Sequence, residues 1–459
     1  MDFYYQDQLR WSFGFDNPNK AAALIASLLP LLWLAISAAW SIKRPWLHWL
    51  LTGIATLVLA IGWWGLFNTF SRGGIAAAIA AFAYIGCRTR SQWIRGWPAL
   101  VAALAVLVAL FIATRAAERS IPSAADKSVA HRLTVWKGGL EMLASIPQGV
   151  GTGNSGEVYM QWFEPPEMDA GYRTLVNSYL TFAVEQGLGL FGAALFAAIF
   201  IWRWAPCQTP NRLLQNAVTA ARASLIGFAV AGFFTTTMEE PMLWVPAGAA
   251  VAFLFGAKLA SPWRPLPHPP ANAALHAVAV TGVVCAILFL SGLLFDANEP
   301  VRISAALSGV TVVPREAKPG AISVLVDEQV SGKDYGKMLR QLAVESKRAL
   351  HVGPMADSAS DPWMLVMGSR IDDMKDGAGK RLILIAPARL EDPASRAILG
   401  AASRAILFLP GFDEDGRVSA WRKAATGLGA KVEVHDLDSV GTEVAWDWPD
   451  ITGQLTKTL

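Results

Sequence analysis

Apolar runs long enough to cross a bilayer, which takes roughly 20 residues, dominate the first two thirds of the chain. They fall at 21–42, 46–67, 73–87, 97–114, 178–202, 217–236, 241–260 and 276–295, so the pattern predicts eight membrane spans. After Asp296 the pattern changes. Short runs rich in Val, Ile and Leu occupy 321–327, 363–369, 381–387, 404–411 and 431–436, with helical stretches near 334–350, 393–403 and 418–428 between them. Strands alternating with helices predict an open, mainly parallel α/β sheet. The expected architecture is an all-α polytopic membrane domain over 1–296 with a large loop at 115–177, a linker over 297–320, and a soluble α/β domain over 321–459.

Composition agrees with that division. Of 459 residues 53% are hydrophobic and only 16% charged, against about a quarter charged in a soluble domain. Nineteen tryptophans, many at the ends of apolar runs, fit the interfacial belt of a membrane protein. A net charge of +3 is too small to argue for nucleic acid. Cys87, Cys207 and Cys285 lie in or beside apolar runs without metal-ligand spacing and read as small hydrophobes.

Basic residues near span ends stay cytoplasmic. Lys43 and Arg44, Arg88, Arg90 and Arg95, Arg203 and Arg212, and Lys258 and Arg264 mark four loops on one side. The other side then receives the N-terminus, the turn 68–72, the loop 115–177, the turn 235–240 and the α/β domain. An outside N-terminus without a signal peptide leads to the expectation that further spans precede Met1.

The longest polar stretch between spans holds the candidate chemistry. Leu133, Trp136, Leu140 and Leu143 follow Arg132 at helical spacing, so 132–145 reads as an amphipathic interfacial helix stopped by Pro147. Arg132 sits at its start, where a guanidinium and a helix N-terminus both favour phosphate. Gly149, Gly151 and Gly153 supply backbone able to approach a ligand closely. A snorkelling arginine and a flexible loop explain the same residues, since a glycine run without a P-loop lysine is unspecific. Arg72, in Asn68-Thr69-Phe70-Ser71-Arg72-Gly73-Gly74, faces the same compartment; taken singly it is a span anchor. Two arginines on one face are what a diphosphate requires. Glu239 and Glu240 stand at a span entrance, where a carboxylate is either a solvated turn or a functional group. Glu185, inside a span, needs a buried partner, with Arg72 or Arg132 the expected ones.

Gly14-Phe15-Asp16-Asn17-Pro18-Asn19, Thr69-Phe70-Ser71-Arg72-Gly73-Gly74, the Arg132…Trp136 helix running to Pro147…Gly149…Gly151, and Asn177-Ser178-Tyr179-Leu180…Glu185-Gln186-Gly187-Leu188 together resemble the O-antigen ligase and O-antigen polymerase superfamily. The resemblance spans roughly residues 11 to 260. It implies a membrane glycosyltransferase that moves a glycan from undecaprenyl diphosphate to a glycan or lipid acceptor with inversion, without nucleotide sugar, cofactor or metal. The implied setting is the outer face of a bacterial inner membrane, with the α/β domain periplasmic. By motif, Arg72 and Arg132 would bind the diphosphate, assisted by Arg173 or Lys137, with Asn177 also at the substrate. Ligases of this family carry a His immediately before the Asn that opens the span after the long loop; here Val176 stands there. Glu239 or Glu240 is the expected replacement base. The competing reading is a non-catalytic relative acting as an assembly scaffold through its α/β domain. A transporter would show an internal repeat, and none is evident. The α/β segment has no Gly-x-Ser-x-Gly, P-loop or Gly-x-Gly-x-x-Gly motif; Asp327, Asp413 and Asp436 fall at or just after strand ends, where open sheets bind ligands.

The basic loops generate a topology test. Reporter fusions at residues 92 and 208 should score cytoplasmic, and fusions at residue 160 and after Leu459 periplasmic; a cytoplasmic C-terminus overturns the arrangement.

Overall fold

The computed structural model describes residues 2–5, 8–89, 127–165, 168, 171–204, 212–237, 240–260, 270–306, 309–326, 335–353, 363–367, 381–385, 402–410, 423 and 432–437. The chain divides into two compact units. The first is Met1–Trp136 with Gly151–Ser155 and Thr174–Leu288; the second is Lys137–Val150 with Gly156–Arg173 and Phe289–Leu459.

Unit one opens with a hairpin, β1 (Asp2–Tyr5) antiparallel to β2 (Gln8–Trp11). Helices α1 (Pro18–Ala39), α2 (Pro45–Asn68) and α3 (Arg72–Thr89) follow, and α4 (Lys127–Ser145) begins in this unit. Next come α5 (Ser178–Trp204), α6 (Arg212–Phe234), α7 (Pro241–Ala260) and α8 (Pro270–Asp296). Among the described residues, five helices are long and apolar enough to cross a membrane: Pro18–Ala39, Pro45–Asn68, Ser178–Arg203, Leu213–Phe234 and Ala274–Asp296. This is a multi-pass membrane protein. Of the eight spans expected, these five are seen among the described residues. Pro241–Ala257 is a shorter apolar helix, α3 begins at Arg72 and carries Arg88 in its last turn, and the run 97–114 lies outside the described residues.

Lipid tails are as apolar as leucine, so helices in a bilayer associate by close packing and hydrogen bonds. Unit one uses both. Ala22, Ala23, Ala26 and Leu29 of α1 pack with Leu66 of α2, with Ile75, Ala77 and Ala78 of α3, and with Ala231 of α6. Polar staples join α6 to α1: Ser224 Oγ donates to the Ser27 carbonyl at 2.7 Å, and Asn216 Nδ2 donates to Ser37 Oγ at 2.6 Å. Arg222, buried within α6, donates to the Trp202 carbonyl at 3.0 Å and lies 5.0 Å from the centre of that residue's ring.

Helix α5 is two helices joined at a kink. Gly187, at φ 79° and ψ 163°, is non-helical and breaks it; only glycine adopts that conformation readily. The glycine loop docks on the break. Gly151 N–H donates to the Glu185 carbonyl at 3.0 Å, and Gln186 Nε2 donates to Thr152 Oγ1 at 2.7 Å. Non-helical backbone at membrane depth persists where protein satisfies it, and here the loop does so. The expected partner of Glu185 is also corrected. Its Oε1 accepts from Ser155 Oγ at 2.7 Å, a neutral donor on the same loop.

Unit two holds an eight-stranded sheet of order β10-β9-β8-β7-β5-β6-β4-β3. Its strands are β3 (Val301–Ala306), β4 (Gly309–Pro314), β5 (Ala321–Val326), β6 (Ala349–Val352), β7 (Trp363–Met367), β8 (Arg381–Ile385), β9 (Arg404–Pro410) and β10 (Val432–Leu437). β5 through β10 pair in parallel, while β3 and β4 add an antiparallel edge. Helix α9 (Tyr335–Ser346) crosses from β5 to β6. Residues 297–320, expected to be a linker, therefore supply two strands. Their Val-Arg-Ile-Ser and Val-Thr-Val-Val alternate as half-buried strands do, a signal masked by the neighbouring prolines and charges. The helical stretches expected at 393–403 and 418–428 fall almost wholly outside the described residues.

Candidate functional site

Three helix ends carry the candidate site in unit one: the start of α1, the α2–α3 turn and the end of α6. The turn is locked locally. Thr69 Oγ1 donates to the Leu66 carbonyl at 2.6 Å, and Ser71 Oγ caps α3 by accepting from Gly74 N–H at 3.2 Å. Arg72 is thereby the first helical residue, exposed, at the positive end of the α3 dipole. Gly73 lies directly against Phe234: a Cβ there would come within 2.5 Å of the Phe234 Cβ. Phe234 is the last residue of α6, and its carbonyl accepts from Arg132 Nη1 at 3.2 Å. Phe234 is thus the shared neighbour of the Arg72 turn and the Arg132 guanidinium, and the structure brings these two candidates to one place.

Two cations that sequence reasoning missed complete the cluster. Arg10 Nε donates to the Thr69 carbonyl at 2.9 Å, and its Nη2 donates to Asn19 Oδ1 at 3.1 Å. Lys20, buried at the start of α1, pairs with Asp16 at 3.0 Å and with Glu240 at 3.5 Å. A buried ammonium needs such partners, because its uncompensated charge is costly. The Asp16/Lys20 spacing of four residues on a helix start was the available signal. Pairing with Glu240, 220 positions away, leaves no local trace.

Glu240 is a partly exposed ion-pair carboxylate beside Lys20, whereas Glu239 lies outside the described residues. Asn177 is buried and caps α5: its Oδ1 accepts from Tyr179 N–H at 3.0 Å and Leu180 N–H at 3.1 Å. Beside it, Ser178 Oγ donates to the Thr235 carbonyl at 2.7 Å and accepts from Thr237 N–H at 2.9 Å, fixing the segment that follows α6. Val176 has φ 54°, a left-handed conformation that costs a β-branched residue about 1–3 kcal/mol. Arg173 is exposed and belongs to unit two.

Lys137 belongs to unit two as well and is engaged there. Its Nζ lies 2.8 Å from Glu299 Oε1 and 3.5 Å from Glu141. The Glu299 hydrogen bond is the main reason its pKa is raised. Glu141 is buried, and burial, reinforced by the Glu299 charge, pushes its pKa up to about 7 against the pull of Lys137 and Arg340. Among the described residues no group of His, Cys, Asp and Glu is arranged to hold a metal ion.

Comparison with protein families gives a match. Residues 55–197 match the family model described as O-Antigen ligase, a stretch that contains Arg72, Arg132, the glycine loop and the Gly187 break. No curated protein and no solved structure matches the chain.

Two measurements test the energetics read here. Val176→Asn relieves the left-handed strain, so it should raise the melting temperature of the detergent-purified protein by about 2–4 °C; a fall would mean that Val176 packing outweighs the strain. Because the folded pKa of Glu141 is raised, its stabilising contribution is full below the unfolded value near 4.5 and is lost as pH rises through about 7. Glu141→Gln should therefore stabilise at pH 8, by roughly 3 kcal/mol, and leave stability unchanged near pH 4. Equal effects at both pH values would refute the shift.

Proposed function

Taking the O-Antigen ligase match over residues 55–197 as premise, we propose that this chain is a membrane glycosyltransferase of the ligase/polymerase type. Its donor is a polyprenyl diphosphate-linked glycan, its acceptor a glycan or lipid hydroxyl, and its place the outer face of a bacterial inner membrane, with the α/β domain periplasmic. The observation that carries the reading is the meeting of the Arg132 guanidinium and the Arg72 turn at Phe234. Arg72 and Arg132 bind the diphosphate bidentately, and the N-terminal end of α3 adds its dipole. As the acceptor oxygen attacks the anomeric carbon from the opposite face, the bond to the diphosphate breaks and its growing charge falls to the two guanidinium groups. Glu240, or Glu239 before it, takes the acceptor proton. Lys20 pairs with the Glu240 carboxylate at 3.5 Å and so fixes its place at the start of α1.

A scaffold reading is favoured by a different observation. Val176 stands where the family's ligases place a His, and it holds a left-handed backbone that suits His or Asn better than Val. A positioned base contributes about 10²–10⁴-fold. Its loss leaves leaving-group stabilisation and binding intact, so a binding protein and a slow enzyme share this geometry.

The test is transfer from a purified lipid-linked glycan. Arg72→Ala and Arg132→Ala should each lower kcat/KM by ~10²-fold or more, with Lys restoring only part, because a point charge does not reproduce a bidentate contact. Glu240→Gln should lower kcat with little change in KM. Binding without transfer in the wild type, together with activity gained in Val176→His, would establish the scaffold reading instead.

A further inference from the structure

Helix α5 carries an acid within a membrane span. Glu185 lies inside the span Ser178–Arg203 and is only 8% exposed. Among the described residues its carboxylate is paired with no basic side chain, and the donor to its Oε1, Ser155 Oγ at 2.7 Å, is neutral. A carboxylate in such a place is costly unless a cation balances it. The backbone adds to the negative potential there. Gly187 ends the first half of α5, so Glu185 stands in the last turn of that half, at the negative end of its dipole.

A second oxygen shares this face of the helix. Thr181 precedes Glu185 by one turn, a spacing that places their Cβ atoms about 5–6 Å apart on one side. Thr181 is 1% exposed, and its Oγ1 has no hydrogen-bond partner among the described residues. A hydroxyl inside a helix commonly bonds the carbonyl four residues earlier, as those of Ser27, Thr89 and Thr219 do at 2.7, 2.8 and 2.9 Å. Thr181 makes no such bond, which leaves its oxygen available on the carboxylate side. The glycine loop closes over the same turn with the fully buried Ser155 and with Gly151 N–H on the Glu185 carbonyl.

Carboxylate, hydroxyl and carbonyl oxygens are the donor set of a hard cation, and half-helix ends in discontinuous membrane helices hold sodium in this way. One carboxylate calls for one positive charge. We infer that Glu185, Thr181 and Ser155 form a site for a single sodium ion at the break in α5, and that the ion pins the Gly151–Ser155 loop to the helix. All three residues belong to unit one. The inference uses nothing of the proposed glycan transfer and stands or falls apart from it.

The test is sodium binding by the full-length protein purified in detergent with choline as the only other cation. Radioactive sodium should bind at one ion per chain. Exchanging choline for sodium at constant ionic strength should raise the melting temperature by about 2–4 °C and slow hydrogen exchange at residues 151–155 by about tenfold. Glu185→Gln should lose the binding and both effects, yet melt in choline no lower than wild type, because the stranded charge is gone. Thr181→Val keeps the carboxylate and the loop contacts and should weaken sodium binding by about tenfold; it decides the matter if Glu185→Gln does not fold. Equal behaviour in sodium and choline overturns the site, as does wild-type sodium affinity in either variant. Loop protection that follows pH and ignores sodium marks a protonated carboxyl in place of the ion and overturns it as well.

Discussion

A membrane helix that ends leaves its last carbonyls without intrahelical donors, and at Phe234 the donor is the guanidinium of Arg132. The negative end of the α6 dipole favours a cation there, so the contact is electrostatically natural. It also fixes the arginine at a point that Gly73 reaches from the other side. The site depends on this one arrangement. A larger residue at 73 would separate the α2–α3 turn from the end of α6, and with it Arg72 from the carbonyl that holds Arg132.

Around that point the structure spends its polar groups on rigidity. Ser71 caps α3, Asn177 caps α5, Ser178 binds the segment after Phe234, and Lys20 joins the start of α1 to Glu240. The Gly187 break leaves the Glu185 carbonyl for the glycine loop. Each device satisfies a group that lipid would leave unpaired, and the result is a set of helix ends held in register around the cations.

The membrane helices and the five strands from β5 and β7 to β10 were legible because continuous apolar runs of different length report them directly. Arg72, Arg132 and the glycine loop were legible through motif order. Other features were not. Arg10 and Lys20 reach partners 59 and 220 positions away, and no local pattern encodes such pairs. Lys137 reads as a cation assisting at the diphosphate until its neighbour Glu299 is seen, 162 residues later. Asn177 reads as a ligand-binding amide, yet its oxygen is occupied by two backbone N–H groups. Gly187 carried a visible hint, since a glycine within a membrane span marks the discontinuous helices that line binding sites. The edge strands β3 and β4 were hidden by prolines, which edges tolerate.

The central claim is that Arg72 and Arg132 form one diphosphate site at Phe234. An experimental structure with an undecaprenyl diphosphate-linked sugar bound tests it most directly. The account predicts both phosphates within hydrogen-bonding distance of the Arg72 and Arg132 guanidinium groups, with the anomeric carbon on the Glu240 side. Phosphates bound elsewhere, with both arginines unmoved from their protein partners, would contradict it.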